Sequence, residues 1–355
     1  MLYILSFLVA ILSAHWIHPR LVRIALDKNI VDNPNARKLQ RRPTPVLGGI
    51  AVFFGSVIGL GCASITCDCS ELFIVVVAMM IMLYTGTMDD ILDLSPALRF
   101  LIEIGTVLLL IFVGGYTLND FHGLWGLNQI PQGVAIPLTV FAAVGIINAI
   151  NLIDGIDGLA SGLCSIACLF YGLTFFMLHQ YVYAMLAFAT LGVLVPFFYY
   201  NVFGNAKHGR KIFMGDTGSL TIGMMLCFLS LKLTMCGLDD NTGNVHPMVL
   251  AFSPLLVPCC DVVRVYLHRV RNGKNPFLPD KNHIHHKLLA LGIKQRNTMI
   301  IIVSVSTIFI LLNILLSLYL NVNWIVLGDI LIWTLANIRL TKSIAQLQSE
   351  QKTNK

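Results

Sequence analysis

The sequence predicts an all-α, polytopic integral membrane bundle, and three observations carry that expectation. The 355 residues are 56% hydrophobic and only 12% charged, with a mean hydropathy of +0.78, which excludes an ordinary soluble domain. The apolar residues fall into about eleven runs, each near the ~20 residues that a helix needs to cross a bilayer. The acids, amides and histidines collect in short loops between those runs, where unpaired charge is costly and therefore a functional suspect.

In order, the runs are 1–18, 46–66, 71–88, 97–118, 134–151, 159–178, 181–200, 217–236, 245–267, 298–320 and 322–340. The first has the length of a signal peptide, but no basic residue precedes it and further spans follow, so it reads as an uncleaved helix. The prolines within 134–151, 181–200 and 245–267 are expected to kink helices rather than end them. Cysteines such as Cys164, Cys168, Cys227, Cys259 and Cys260 sit inside apolar runs and act as small hydrophobes. Cys62, Cys67 and Cys69 flank one short loop, where a disulfide is open to them. No repeat, low-complexity tract or lipidation motif is present.

Basic residues set the orientation. Arg20, Arg23, Lys28, Arg37, Lys38, Arg41 and Arg42, then Lys207, Arg210 and Lys211, then Arg269, Arg271, Lys274, Lys281, Lys287, Lys294 and Arg296 all occupy loops of one parity. Lys232 is the exception on the other side, and can snorkel. The positive-inside rule makes the first set cytoplasmic, with the N-terminus outside and the C-terminal tail inside. One domain over 1–355 then has cytoplasmic loops at 19–45, 89–96, 152–158, 201–216 and 268–297.

The chemistry falls on that same face. Asn148-Ala149-Ile150-Asn151-Leu152-Ile153-Asp154-Gly155-Ile156-Asp157-Gly158-Leu159 places two amides and two carboxylates at helical offsets beside glycines. Such hard oxygens suit Mg²⁺ or Mn²⁺ carrying phosphate, although a capped polar turn reads as well in isolation. Asp89 and Asp93 are spaced to share a helix face, with Asp90 pointing elsewhere, at a helix end whose dipole disfavours acids. Asp216 opens a span in Phe213-Met214-Gly215-Asp216-Thr217-Gly218-Ser219, as a cap or as a phosphate-facing group. No Walker motif or dinucleotide fingerprint exists. His283, His285 and His286 lie between Lys281 and Lys287, without the cysteines or spacing that zinc needs, and read as an anion cradle. Glu103, one turn past Arg99, is explained by that pair, and Asp329 has no nameable partner.

Acidic loops facing a basic, His-rich loop at a bundle mouth suit phosphoryl transfer, where catalysis is mostly positioning and charge neutralisation. At a membrane face, one substrate is expected to be a lipid and the other soluble. A transporter would hold its acids near the midplane. A membrane prenyltransferase would need neither the His-rich loop nor the Asn-rich run.

On Asp89-Asp90, the Asn148 to Leu159 run, the Phe213 to Leu220 run and the His-x-His-His loop, the sequence resembles the polyprenyl-phosphate N-acetylhexosamine-1-phosphate transferase superfamily. The His-x-His-His form resembles the branch acting with UDP-GlcNAc on undecaprenyl phosphate; the phospho-MurNAc-pentapeptide branch usually carries three consecutive His. The resemblance implies transfer of GlcNAc-1-phosphate to undecaprenyl phosphate with release of UMP, initiating a surface polysaccharide such as O-antigen from the bacterial inner membrane. Another UDP-HexNAc or UDP-MurNAc-pentapeptide is the alternative donor. It further implies Mg²⁺ or Mn²⁺ held by Asp216 and Asn148, and Asp89 at the lipid phosphate with Asp90 and Asp93 in support. Asn151 would bind substrate, Asp154 and Asp157 would serve the nucleotide end and the integrity of the loop, Phe213 would set a ring against uracil, and Arg269, His283, His285 and His286 would cradle the sugar phosphate. Asp32 and Asp280 match acids of flanking loops, while Arg41 departs from the lysine expected in the pentapeptide branch. The lipid bilayer is an implied partner, a homodimer stays open, and nucleic acid is not expected.

Overall fold

The computed structural model describes residues 2–32, 43–63, 65, 68–205, 209–236, 245–275 and 282–353. Arg37, Lys38, Arg41, Arg42, Cys67, Lys207, Asp280 and Lys281 fall outside them.

Helices dominate because long apolar runs must satisfy their backbone groups internally. They are α1 (Leu2–Asp27), α2 (Gly48–Ala63), α3 (Phe73–Leu92), α4 (Pro96–Phe112), α5 (Gln132–Ile153), α6 (Leu159–Met177) and α7 (Tyr181–Val202). There follow α8 (Gly215–Met235), α9 (Pro247–Phe252), α10 (Leu256–Arg271), α11 (Ile284–Ala290), α12 (Gln295–Ser317) and α13 (Val322–Thr353). The chain is a multi-pass membrane protein. Among the described residues nine helical stretches are long and apolar enough to cross a membrane, against the eleven runs read from sequence. The two others are helical but shorter, α2 at 16 residues and α4 at 17.

As the prolines predict, the ninth run stays one helical stretch, Pro247–Arg271, in which Pro254 lies in a 3₁₀ turn, Ser253–Leu255, between α9 and α10. The all-α expectation misses two short antiparallel pairs, β1 (Val31–Asp32) with β2 (Thr44–Pro45) and β3 (Asp120–Leu124) with β4 (Leu127–Gln129). Asp32 stands opposite Thr44 in the first. Pro137 and Pro196 do remain inside continuous helices.

The core is organised around α8. Every residue from Thr217 to Leu231 is buried, as a helix that is apolar on all sides must be. It packs against α3, α5 and α2, while α1 and α7 close over α2, and α12 lies along α6. At the end opposite the acids, Glu71 accepts from Tyr183 Oη and from Lys232 Nζ (3.3 Å), whose charge lies 4.6 Å from the Tyr183 ring. That ion pair replaces the snorkelling expected of Lys232. Asp329 does have a partner: it accepts from Asn313 Nδ2 at 2.8 Å. No disulfide joins the described cysteines, Cys62 and Cys69 included.

Candidate active site

Three helix ends meet at one pole of the bundle: the last turns of α3 and α5 and the first turn of α8. Asp90 Oδ1 accepts from the Asp216 amide at 2.8 Å, and Oδ2 accepts from Thr217 N at 2.9 Å and Thr217 Oγ1 at 2.6 Å. A carboxylate from α3 thus caps the first turn of α8, whose free N–H groups and dipole favour an anion. Close approach requires glycine: a Cβ at Gly86 would strike the Asp216–Thr217 backbone, and Gly215 turns into α8 at φ +68° against Asp90. On the other side, Phe213 N donates to Pro45 O (2.7 Å), and Gly48 and Gly49 donate to the Phe213 and Met214 carbonyls (3.1 Å each). The Phe213–Ser219 run is therefore stitched from both flanks.

An acid–amide network lies beside this clamp. Buried Asp89 accepts from Leu94 N at 2.9 Å and Arg99 Nη1 at 3.0 Å, and its carboxylate lies within hydrogen-bonding reach of Asp216. Arg99 Nη2 reaches Asn148 Oδ1 at 3.4 Å. Asn148 Nδ2 donates to Glu103 Oε2 at 2.5 Å and to Val144 O at 2.9 Å. Asn151 Nδ2 donates to Asp216 Oδ1 and to Ser219 Oγ (2.9 Å). Asp89, Asp216, Asn148 and Asn151, scattered over more than a hundred residues of sequence, converge.

Several placements differ from the sequence reading. The i,i+4 spacing alone does not account for Glu103: Arg99 is nearer Asp89 (3.0 Å) than Glu103 (3.6 Å), and Glu103 seats Asn148. Asp93 does not share the Asp89 face: α3 stops at Leu92, and Asp93 is an exposed C-cap at φ +51°. Asp90 does point elsewhere, as its spacing predicts: its carboxylate is taken up by α8. Asn151, not Asn148, contacts Asp216.

Among the described residues Asp89, Asp216, Asp90 and Glu103 cluster with Arg99 as the cation paired to them. Unless protonated, those carboxylates repel, so the donor set suits a divalent cation. Among the described residues no three His, Cys, Asp or Glu side chains form a ready-made metal cage. Mg²⁺ is usually held by one or two carboxylates, with waters and substrate phosphates completing its shell.

The loop after α5 joins this centre to two others. Asp157 Oδ2 pairs with Lys211 Nζ at 2.5 Å, and that nitrogen lies 5.7 Å from the Phe213 ring. Asn201 braces the same junction, accepting from Gly158 N (2.6 Å) and donating to Ile212 O (3.0 Å). Asp154 is exposed and within electrostatic reach of Asp216, Asp157 and Asp90.

The histidines divide by environment. His285 is buried on the backbone of Gly155, where any Cβ would fall on its Nε2. Burial, then the charges of His286 and His283, push it down to about 3, so it is neutral near pH 7 and cannot be a cationic cradle. His283 stacks on His285 at 5.9 Å, and His286 tilts against it at 4.2 Å. His283 Nδ1 bonds Asp261 Oδ2 at 2.8 Å, while Asp261 Oδ1 accepts from Ile284 N (3.1 Å) and Arg264 (2.8 Å). Arg264 also donates to Asn282 O at 2.5 Å, and Arg269 is buried two turns from Asp261. Sequence reading missed Asp261; an acid inside an apolar run, three residues before an arginine, was the signal.

Gly155→Ala is expected to push the His283–His286 segment outward, raising the KM for the soluble substrate roughly tenfold with little change in thermal stability, since misplacement by an ångström can cost more than that. Steady-state kinetics beside a melting curve checks this.

A family profile described as glycosyl transferase family 4 matches residues 72–234. The chain is 33% identical over 315 residues to a probable undecaprenyl-phosphate N-acetylglucosaminyl 1-phosphate transferase of Bacillus subtilis, covering 88% of this chain and 85% of that protein. It is 28% identical over 298 residues to the undecaprenyl-phosphate alpha-N-acetylglucosaminyl 1-phosphate transferase of Yersinia pestis, covering 82% and 78%. With the protein of that name from Salmonella typhi it shares 31% over 283 residues, covering 79% and 74%.

Proposed function

The chain belongs to the polyprenyl-phosphate N-acetylhexosamine-1-phosphate transferases of glycosyl transferase family 4, and we propose that it transfers GlcNAc-1-phosphate from UDP-GlcNAc to undecaprenyl phosphate. That it is a membrane enzyme moving a sugar phosphate follows from the family; donor, metal, sidedness and pathway are the proposal. The observation that carries it is the meeting of Asp89 with Asp216, ringed by Asn148, Asn151 and Arg99.

In the reaction, a phosphate oxygen of the lipid attacks the sugar-bearing phosphorus of the donor. The phosphoanhydride bond breaks, and the bridging oxygen leaves with UMP. Mg²⁺ or Mn²⁺, held by Asp216 with Asp89 and the Asn148 and Asn151 amides nearby, would neutralise diphosphate charge. Arg99, fixed between Asp89, Glu103 and Asn148, supplies the cation of the lipid-phosphate side. The Lys211–Asp157 pair and Phe213 frame the uridine end, and Asp261 sets His283 toward the sugar phosphate. The basic loops support a reading in which this pole faces the cytoplasm from a bacterial inner membrane, with the N-terminus periplasmic and the C-terminus cytoplasmic. Initiation of a surface polysaccharide such as O-antigen is the pathway this product fits.

Asp89 acts by steering and field rather than by proton removal. A phosphate monoester, with second pKa near ~6, is mostly dianionic at pH 7 and has little proton to give. Asp89→Asn should therefore lower turnover ~10²-fold in parallel across pH 6–9, by the size usual for loss of one charge-stabilising group. Recovery to the wild-type rate at high pH would instead make Asp89 a general base.

The assignment is tested with purified protein, undecaprenyl phosphate and UDP-GlcNAc, UDP-GalNAc or UDP-MurNAc-pentapeptide, with and without Mg²⁺, read by product mass. GlcNAc-diphosphoundecaprenol with UMP, only when Mg²⁺ is present, is the expected result. A product from another donor alone, or neither product nor UMP from UDP-GlcNAc with Mg²⁺ present, overturns it.

A further inference from the structure

The histidine segment is held by a part of the chain that the chemistry above does not use. Helix α11 has seven residues, too few to be stable alone, so its place is imposed by what it docks on. One dock is Asp261 on α10, which accepts from the Ile284 amide and from His283. Besides its packing on α12, α11 docks on the last helix: Lys287 Nζ donates to Asn337 Oδ1 at 3.3 Å and to Thr341 Oγ1 at 3.0 Å. These acceptors are themselves fixed. Asn337 is buried and its Nδ2 donates to Trp333 O at 3.0 Å, while Thr341 Oγ1 donates to Asn337 O at 2.8 Å. Burial and the Arg264 charge bring the Lys287 ammonium down to about 8, while the Asp261 charge favours its cationic form.

We propose that Asn337 and Thr341 are positioning residues for the sugar-nucleotide donor: through Lys287 the C-terminal helix sets the height of His283–His286 against Gly155. The inference rests on the donor reading above. Removing the dock leaves Asp261 in place, so the segment loosens without leaving, and donor affinity suffers before turnover does.

The test is Asn337→Ala with Thr341→Val in the full chain in lipid nanodiscs, beside Lys287→Met, the triple variant and Thr341→Ser. The KM for UDP-GlcNAc should rise about tenfold in the double variant, with kcat and the KM for undecaprenyl phosphate within about twofold. Lys287→Met should match it, the triple variant should add nothing, as residues of one network do not combine additively, and Thr341→Ser should resemble wild type. Without substrate, amide exchange over 284–290 should quicken in the double variant and stay unchanged over 154–158. Unchanged exchange and donor KM, additive effects, or a fall of kcat in step with melting temperature would overturn the proposal. If wild-type protein released no UMP from any UDP-sugar, the donor reading would fail, while exchange would still decide whether α13 holds the segment.

Discussion

Asp216→Ala is expected to reduce UMP release ~10³-fold or more while leaving a folded protein, the size associated with losing a charge-organising group at a phosphoryl-transfer centre. The two halves of that expectation have separate origins. Asp216's side chain touches Asp89, Asn151 and nothing that fixes α8. The helix is anchored instead through its backbone, by the amides of Asp216 and Thr217 on Asp90 and by the glycine contacts of Gly86 and Gly215. Deleting the carboxylate also relieves repulsion with Asp89, so the melting temperature should hold or rise. Retained turnover, or a collapse of folded yield, would refute this division.

Asp90 should behave in the opposite way. Asp90→Ala strips the acceptor from Asp216 N, Thr217 N and Thr217 Oγ1, and each buried donor left unpaired costs about 1–3 kcal/mol. Folded yield and melting temperature should fall, and activity should fall at least ~10²-fold in the protein that remains, because α8 carries Asp216 into the pocket. Asp90→Asn is the finer probe. It keeps one oxygen for the Asp216 amide, and the Thr217 hydroxyl can rotate to accept from its NH₂, but the Thr217 amide loses its acceptor. Its stability should lie between wild type and alanine. A stable Asp90→Ala variant with full loss of turnover would instead make Asp90 a member of the reacting set.

The contrast between these neighbours marks what the sequence could show. Their motif was legible, yet consecutive residues on a helix differ by about 100°, so one faces the pocket and the other a partner whose position depends on a segment 126 residues away. The i,i+4 rule failed for Asp93 because it presumes an unbroken helix, and the Leu94-Ser95-Pro96 restart ends α3 first, with Ser95 capping α4. All eleven apolar runs proved helical, but length alone did not separate short α2 and α4 from full spans. Strands β3 and β4 carry no alternating pattern; their turn rests on positive φ at Trp125 and Gly126, and the irregularity within β3 on positive φ at His122 and Gly123. The His-x-His-His signature announced a loop, whereas the neutrality of His285 follows from burial on Gly155, and the setting of His283 from an acid 22 residues upstream. Glu103 and Arg99 were visible as a pair, but their ties to Asn148 and Asp89 arise only from packing of α3, α4 and α5.

One pocket joining a soluble donor to a lipid phosphate is most directly tested by ³¹P relaxation with Mn²⁺ in nanodiscs containing undecaprenyl phosphate and a non-transferable UDP-GlcNAc analogue. Both the lipid phosphate and the donor diphosphate should relax sharply faster at substoichiometric Mn²⁺, and both enhancements should vanish in Asp216→Ala. Enhancement of only one phosphate, or of both undiminished in Asp216→Ala, would contradict a shared centre at Asp89 and Asp216.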